Sequence, residues 1–216
     1  MRDIAIFGAG GLAKEIASLI ERINKKETGR WRLIGFFDDN PTLWGKGVSH
    51  YGTVLGGIDS LNEWPTTLDV AIAIGNPGGI RKVRERIVSP NVSFPNIISP
   101  SLGFADIETF HIGEGNIIQG ACWASNDVTI GNFNLLNGDV VIGHDVVIGD
   151  YNVFMPDIRI SGEVSFGCEN LIGVGSIIIQ QLKIGNNVHI GAGAVLMIKP
   201  KDGCTYIGNP AKLFKF

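Results

Sequence analysis

The most regular feature of the chain is an apolar residue at every sixth position from Ile112 to Leu196. Fifteen successive positions keep this register, and glycine directly follows eight of them. Six residues suffice for a short strand and a corner, and three such sides close one coil of a parallel β-helix. The repeat covers about 4.7 coils of eighteen residues, stacked roughly 4.8 Å apart. We expect the repeated aliphatic residues inside, smaller residues such as Val128 and Ser176 beside them, and glycine or asparagine supplying strained corner backbone.

A different pattern precedes Ile112, where apolar runs alternate with glycine turns and a helical segment. Residues 4–7 predict a buried strand, which a glycine-rich turn joins to a helix over about residues 14–24. Residues 33–37 and 70–74 predict a second and a third strand. The order of strand, glycine turn and helix indicates an α/β, Rossmann-like nucleotide-binding domain.

The glycine turn has the G-x-G-x-x-A spacing of dinucleotide-binding fingerprints. Gly8 makes the turn, Gly10 lets a phosphate approach the backbone, and Ala13 permits close packing of helix on strand. Asp38 and Asp39 end the second strand, where carboxylates can accept hydrogen bonds from ribose hydroxyls or a base. A glycine turn that binds nothing remains an equal alternative. A nicotinamide dehydrogenase is disfavoured, because about 95 residues supply only one mononucleotide-binding half.

The positions of the prolines and the composition indicate how the chain is organised. Pro90, Pro95 and Pro100 interrupt helix and central strand, so we place a nucleotide-binding domain at residues 1–100 and a β-helix domain at 101–216. A net charge of −3 offers no cationic surface for nucleic acid. Three cysteines without C-x-x-C spacing predict neither a disulfide framework nor a zinc knuckle. The first apolar run is too short for a signal peptide or membrane span, so we expect a cytoplasmic protein.

The strongest candidate for chemistry is His144, which lies at a corner in the middle of the repeat and is followed by Asp145. Acyl transfer from a thioester needs a base for the incoming amine or hydroxyl and a donor for the developing oxyanion. Histidine suits the first role near neutral pH, and the neighbouring carboxylate could orient its ring. One coil of eighteen residues further on is Gly162, whose amide should stack beside His144 and could donate to the thioester oxygen. The alternative is that His144 is an exposed corner residue without a catalytic role.

The complete layout resembles the sialic acid O-acetyltransferase and UDP-bacillosamine-type nucleotide-sugar N-acetyltransferase family of hexapeptide-repeat acyltransferases. The segments that match are Gly8-Ala9-Gly10-Gly11, Asp38-Asp39, Ala73-Ile74-Gly75-Asn76, Arg81, Gly143-His144-Asp145 and Gly208-Asn209-Pro210-Ala211-Lys212. The resemblance implies an all-β left-handed parallel β-helix that is closed by the last of these segments. It also implies a homotrimer whose active sites, with acetyl-CoA as co-substrate, lie between subunits.

The same resemblance implies roles for individual residues. Catalysis is assigned to His144 as general base, with Asp145 and Gly162, and acetyl-CoA would contact Gly162 and the closing segment. The residues of that segment are Asn209, Pro210, Ala211 and Lys212. The nucleotide sugar would bind residues of the first domain, namely Gly8, Gly10, Gly11, Leu12, Asp38, Asp39, Gly75, Asn76 and Arg81. Family members commonly have histidine at the place of Leu12, and some carry a second histidine at the place of Val153, so the acceptor pocket is expected to differ.

The same β-helix fold also supports other functions. A zinc hydratase of the γ-carbonic-anhydrase type needs three converging histidines. His111, His144 and His189 are separated by 33 and 45 residues, which are not multiples of eighteen, so we expect no metal. The further alternatives are sialic acid O-acetylation and a catalytically inactive trimeric scaffold. The identity of the nucleotide and sugar, N- or O-acylation, and the acyl length stay open.

Overall fold

The computed structural model describes residues 1–27 and 29–214, and the chain divides into two compact units, Met1–Pro100 and Ser101–Phe216. We call them the amino-terminal and carboxyl-terminal units. The elements of the amino-terminal unit are β1 (Arg2–Phe7), α1 (Gly11–Lys26), β2 (Trp31–Phe37), a 3-10 turn (Pro41–Leu43), β3 (Val54–Gly56), α2 (Ile58–Asn62), β4 (Leu68–Ile72), α3 (Pro77–Arg86), β5 (Val92–Ser93) and β6 (Ile97–Ile98).

The amino-terminal unit is built on a parallel sheet of strand order β3-β2-β1-β4-β5. Ile4 and Ile6 of the central strand are completely buried, as expected of a parallel strand covered on both faces. The strand order reverses between β1 and β4, so their carboxyl ends border the crevice where open α/β sheets bind ligands. The predicted strands and helix are all present. Strand β4 ends at Ile72, two residues before the predicted end, and α1 extends beyond both predicted ends.

The carboxyl-terminal unit contains short strands at regular intervals. They are β7 (Gly103–Phe104), β8 (His111–Ile112), β9 (Ile117–Ile118), β10 (Trp123–Ala124), β11 (Thr129–Ile130), β12 (Leu135–Leu136), β13 (Val141–Ile142), β14 (Val147–Ile148), β15 (Val153–Phe154), β16 (Arg159–Ile160), β17 (Ser165–Phe166), β18 (Leu171–Ile172), β19 (Ile177–Ile178), β20 (Lys183–Ile184), β21 (His189–Ile190), β22 (Val195–Leu196), β23 (Thr205–Ile207) and β24 (Lys212–Phe214).

These strands stack into three parallel faces. The first face contains β7, β10, β13, β16, β19 and β22, the second β8, β11, β14, β17 and β20, and the third β9, β12, β15, β18, β21 and β23. Partners are eighteen residues apart, as where Val141 pairs with Arg159. Every repeated apolar residue is buried except Ile112, which is half-buried where the repeat begins. The predicted fold class, a Rossmann-like α/β domain followed by a parallel β-helix, is confirmed.

The corners refine one detail of the sequence prediction. The left-handed backbone conformation falls three residues after the repeated apolar residues from Ile112 to Ile190. Gly115, Gly175 and Gly193 adopt it there, and so do eleven non-glycine residues with φ of 55–65°. These residues are Ala121, Asp127, Phe133, Asp139, Asp145, Tyr151, Asp157, Glu163, Glu169, Gln181 and Asn187. The glycines that directly follow the aliphatic residues serve a different purpose, since a Cβ there would collide with the next coil. At Gly143 it would lie 2.7 Å from the amide nitrogen of Gly162.

A ladder of buried asparagines holds the coils of the β-helix in register. Asn116, Asn134, Asn152 and Asn170 are eighteen residues apart and at most 1% exposed. Each side-chain oxygen accepts a hydrogen bond from a backbone N–H one coil further on, the last of them from Val188 at 2.8 Å. The side-chain amides of Asn152 and Asn170 also donate to backbone carbonyls. The buried amides are therefore satisfied inside the unit, as a buried polar network requires.

The carboxyl-terminal segment closes the last coil. Ala211 is buried, and its amide donates to the carbonyl of Val195 at 2.8 Å, while Val195 donates to Gly208 at 3.0 Å. Strand β24 then pairs antiparallel with β23. The Gly-Asn-Pro-Ala-Lys segment is thus fastened to β22, the last strand of the first face.

Candidate active site

The candidate catalytic pair lies at the corner that joins the first face to the second. His144 follows β13, and its Nδ1 is 2.7 Å from Oδ2 of Asp145. Both side chains are 59% exposed, so a substrate can reach them. A hydrogen bond from Nδ1–H to the carboxylate leaves Nε2 as the unprotonated nitrogen, which is the form of imidazole that accepts a proton.

Gly162 lies directly beneath the imidazole, as the coil length predicted. A Cβ at Gly162 would overlap Nε2 of His144 and would lie 2.6 Å from Cε1. Glycine at this position therefore permits the ring to lie close over the next coil. The carbonyl of His144 also accepts a hydrogen bond from the amide of Glu163 at 2.8 Å, which fixes the two coils to each other beside the ring.

The backbone amide of Gly162 has no hydrogen-bond acceptor among the described residues, whereas equivalent amides at a second corner do have one. Asn132 and Cys168 occupy the same position of the six-residue repeat as Gly162, at the corner that joins the second face to the third. The backbone amide of each donates to a side chain one coil further on. Asn132 donates to Asp150 at 2.7 Å and Cys168 donates to Asn186 at 2.8 Å. Within residues 1–27 and 29–214, the Gly162 amide donates no hydrogen bond. An unengaged N–H next to a candidate general base is the arrangement that an oxyanion donor requires.

The residues assigned to acetyl-CoA lie further along the same β-helix. Asn209, Pro210 and Lys212 are exposed, while Ala211 is buried and serves to fasten the segment. The segment bonds to β22, three coils beyond β13, the strand that precedes His144. At roughly 4.8 Å per coil, the separation along the β-helix is about 15 Å.

In the amino-terminal unit, the glycine-rich turn combines a structural glycine with open ones. Gly8 has φ of +112°, and a Cβ there would lie 2.8 Å from the carbonyl oxygen of Ala73, so the fold itself requires glycine. A Cβ at Gly10 or Gly11 would meet no atom within 4 Å. Gly10 precedes α1 without a side-chain cap, and the first turn of α1 contains no acidic residue. The first amides of α1 are therefore available to an anion, as in nucleotide-binding folds.

The two aspartates that follow β2 already take part in hydrogen bonds. Asp38 accepts from the amide of Ala9 at 3.0 Å, which ties the end of β2 to the glycine turn. Asp39 accepts from the amide of Ile58 at 3.2 Å and forms an ion pair with Arg86 at 2.5 Å. The hydrogen bond from Arg86 holds the pKa of the Asp39 carboxyl below its ordinary value. Each carboxylate retains acceptor capacity for a ribose hydroxyl or a base, because two oxygens offer about four lone-pair sites.

The loop after β4 and helix α3 contain three of the residues assigned to the nucleotide sugar. Gly75 is exposed and a Cβ there would meet nothing, while Asn76 caps α3 by accepting from the amide of Gly79 at 2.8 Å. Arg81, the third of them, forms an ion pair with Glu85 at 2.8 Å. The basic residues whose charges act on Asp39 are Arg86 and Lys82. Leu12 is half-buried at the start of α1.

Sequence reasoning missed one residue beside this edge of the sheet. The indole Nε1 of Trp44 donates to the backbone carbonyl of Asp38 at 2.8 Å, and Trp44 is 49% exposed. The sequence could have indicated Trp44, because it is a large aromatic residue in a loop of glycine and polar residues that has no hydrophobic core to fill.

The described residues offer neither a metal cluster nor a membrane-spanning helix. The described residues contain no group of three His, Cys, Asp or Glu placed to hold a metal ion. The histidines lie on separate sides of the β-helix, with His111 in β8 on the second face and His189 in β21 on the third. No helix in the described ranges has the length and apolar character that a bilayer crossing requires.

Comparison with known proteins agrees with this picture of the chain. The family model of the PglD N-terminal domain matches residues 3–89. No curated protein gives a significant match. Solved structures do match over the full length. The acetyltransferase domain of PglB from Neisseria gonorrhoeae FA1090 is 26% identical, with a TM-score of 0.86, and the match covers 99% of this chain and 100% of that chain.

Two ligand complexes are also similar. The PglB acetyltransferase domain in complex with acetyl coenzyme A is 25% identical, with a TM-score of 0.72 and 99% of each chain covered. A mutant of perosamine N-acetyltransferase from Caulobacter crescentus, in complex with CoA and GDP-perosamine, is 24% identical with a TM-score of 0.84. That match covers 100% of this chain and 98% of the other, and it shows likeness of fold. The family match in the first unit and the full-length likeness to PglB agree with the expected resemblance: the chain is similar to UDP-bacillosamine-type nucleotide-sugar N-acetyltransferases.

Proposed function

We propose that this protein transfers the acetyl group of acetyl-CoA to an amine, or less favourably a hydroxyl, of a nucleotide-linked sugar. The observation that carries the proposal is the His144–Asp145 hydrogen bond of 2.7 Å next to Gly162, whose amide donates no hydrogen bond within the described residues. One group accepts a proton and the other faces the place where negative charge develops. These are the two needs of acyl transfer from a thioester.

The transfer is direct and forms no acyl-enzyme. The acceptor nitrogen attacks the thioester carbonyl carbon while Nε2 of His144 takes its proton, and the carbonyl oxygen becomes an oxyanion that accepts from the Gly162 amide. The carbon–sulfur bond then breaks, and the CoA thiolate leaves with the proton that His144 returns. Asp145 holds the imidazole in the required tautomer and stabilises it while it carries the proton.

The co-substrate lies along the β-helix in this proposal. Its thioester lies at Gly162 and its far end near Asn209, Pro210 and Lys212, which are exposed two coils, or about 10 Å, further along the β-helix. As the family resemblance implies, the protein forms a homotrimer with acetyl-CoA between neighbouring β-helices. A molar mass three times that of the 23.2 kDa chain, measured by light scattering, is the expected result.

The nucleotide part of the acceptor binds at the carboxyl edge of the amino-terminal sheet. Its diphosphate lies at the open amides around Gly10 and Gly11, with Gly75 and Asn76 beside it, and its ribose near Asp38 and Asp39. Three free cysteines among the described residues accord with a reducing, cytoplasmic location.

The test is release of CoA with a panel of UDP-, GDP- and dTDP-linked 4-amino sugars. The wild-type protein is expected to release CoA with at least one of them, and His144→Ala to reduce turnover by at least about a hundredfold. His189→Ala is the matched control, since His189 is also exposed but lies on the third face. Normal turnover by His144→Ala would overturn the mechanism. No CoA release and no thermal shift with acetyl-CoA would favour an inactive scaffold.

A further inference from the structure

Trp44 is the most exposed tryptophan of the chain, and its position is fixed. Its Nε1 donates to the carbonyl of Asp38 at 2.8 Å, and a Cβ at Gly57 would lie 3.1 Å from Cζ2 of the same ring. Nε1 and Cζ2 lie on one edge of the indole. The ring is therefore held by that edge, while Trp44 remains 49% exposed. A large aromatic surface that is both ordered and open to solvent needs an explanation.

The surroundings of this ring point to a nucleotide. Asp38, which Trp44 contacts, also binds the amide of Ala9 in the glycine turn, and Asp39 bonds to the first residue of α2, next to Gly57. In folds of this type the phosphates lie at the glycine turn and the ribose at the acidic residues that end the second strand. A nucleotide placed in that way has its base beyond the ribose, on the side of the aspartates where Trp44 lies.

We propose that Trp44 is the platform on which the base of the nucleotide stacks. The inference rests on the proposed nucleotide-sugar acceptor and adds a residue that fixes the base. Every nucleobase has a π-face, so stacking supplies affinity whichever base is present, and the loss of one base–aromatic stack weakens binding about 5- to 150-fold. The carboxylates of Asp38 and Asp39 remain beside the ring as acceptors for base or ribose donors.

Calorimetric titration with UDP, GDP and dTDP, without acetyl-CoA, tests the proposal on the full-length protein. We expect Trp44→Ala to raise the Kd of the tightest of the three at least about fivefold. Trp44→Phe keeps an aromatic face but loses the N–H donor to Asp38, so it should stay within about threefold of wild type. If Trp44 served only to brace the loop, Phe and Ala would weaken binding equally, and that result would overturn the proposal.

Fluorescence supplies a second and independent readout. Stacking of a base on Trp44 should quench its emission, so nucleotide-induced quenching should persist in Trp123→Phe and disappear in Trp44→Phe. Trp123 is a suitable control because it is 44% exposed and lies on the β-helix. Quenching that survives in Trp44→Phe contradicts stacking.

Kinetics separate this proposal from the proposed reaction. Trp44→Ala should raise KM for the nucleotide sugar and leave kcat and the KM for acetyl-CoA unchanged, because the ring touches neither the thioester nor the reacting amine. Nucleoside diphosphate binding by wild type and Trp44→Ala with equal Kd overturns the role of Trp44 even if acetyl transfer is observed. Absence of acetyl transfer overturns the proposed reaction, while the binding data still decide the role of Trp44.

Discussion

Replacing Gly162 by alanine tests whether the position of the His144 ring matters for turnover. The new Cβ would lie 2.6 Å from Cε1 of the ring and closer still to Nε2, whereas ordinary contacts begin near 3.4 Å. The ring therefore has to move by about 1 Å, and a displacement of that size at a reacting group costs about a hundredfold in rate. The Gly162 amide itself is retained, so the substitution perturbs the base and leaves the oxyanion donor in place.

The fold should tolerate this change. Gly162 is not among the residues with positive φ, and the obstructing atoms belong to a side chain that is 59% exposed and free to swing outward. We expect the free energy of unfolding to change by no more than about 0.5 kcal/mol, as for most surface substitutions. kcat should fall about a hundredfold, with the KM for acetyl-CoA little changed.

The assay is CoA release under saturating substrates, combined with thermal unfolding. Gly138→Ala is the matched control, because Gly138 occupies the same position of the six-residue repeat at another corner. A Cβ there would meet only the carbonyl oxygen of Gly120, at 3.3 Å. We expect Gly138→Ala to keep wild-type turnover, which would exclude a general effect of alanine at coil corners.

A double substitution makes the reasoning refutable. If Gly162→Ala acts by displacing the His144 ring, combining it with His144→Ala should lower turnover no further than His144→Ala alone. Additive losses would show that the alanine acts on something other than the ring. Wild-type turnover in Gly162→Ala would show that the ring need not lie over Gly162 during the reaction.

Three further predictions concern charge, capping and pH. Asp145→Asn should lower kcat about tenfold or more at unchanged stability, because an amide N–H can turn the His144 ring to the tautomer that cannot accept the proton. Gln180→Asn should cap the amide of Gly162 as Asp150 caps Asn132, raising the free energy of unfolding by about 0.5–1.5 kcal/mol while lowering kcat. The pKa of Asp39 is lowered by Arg86, so this pair stabilises the protein above the ordinary carboxyl pKa. The stability difference between wild type and Asp39→Asn, about 0.2–1 kcal/mol at pH 7, should therefore shrink as the pH falls below about 4 and vanish below the lowered pKa of Asp39.

In the repeated part of the chain, the sequence alone was sufficient to predict which residues are neighbours in space. A strict six-residue period converts position along the chain into position in space, so the distance of eighteen residues from His144 to Gly162 identified neighbours on adjacent coils. The asparagine ladder from Asn116 to Asn170 has the same spacing and could have been recognised in the same way. The conformation at the corners was predictable only in part. Glycine directly after the repeated apolar residue serves close approach of the coils, and two positions later mostly other residues adopt the left-handed backbone.

In the amino-terminal unit the sequence located the elements and left the side-chain contacts open. Strand ends and the glycine turn follow from apolar runs, but the partner of a long side chain depends on its rotamer and on its neighbours. Arg81 is an exception, since its partner Glu85 lies four residues on in the same helix and could have been recognised from that spacing. Trp44 was hidden for a different reason, because its contact with Asp38 depends on the path of an irregular loop.

The contrast between the two corners supports the proposed placement of the chemistry at the His144 corner of the β-helix. At the second corner, Asp150, Cys168 and Asn186 accept from the amides of the coil before them, so those amides contribute to the fold. At the His144 corner the amide of Gly162 donates no hydrogen bond within the described residues. An open N–H forgoes roughly 1 kcal/mol of stability, the typical contribution of one hydrogen bond. A stabilising substitution such as Gln180→Asn should therefore lower activity, because the hydrogen bond that stabilises the coil and the one that stabilises the oxyanion use the same donor.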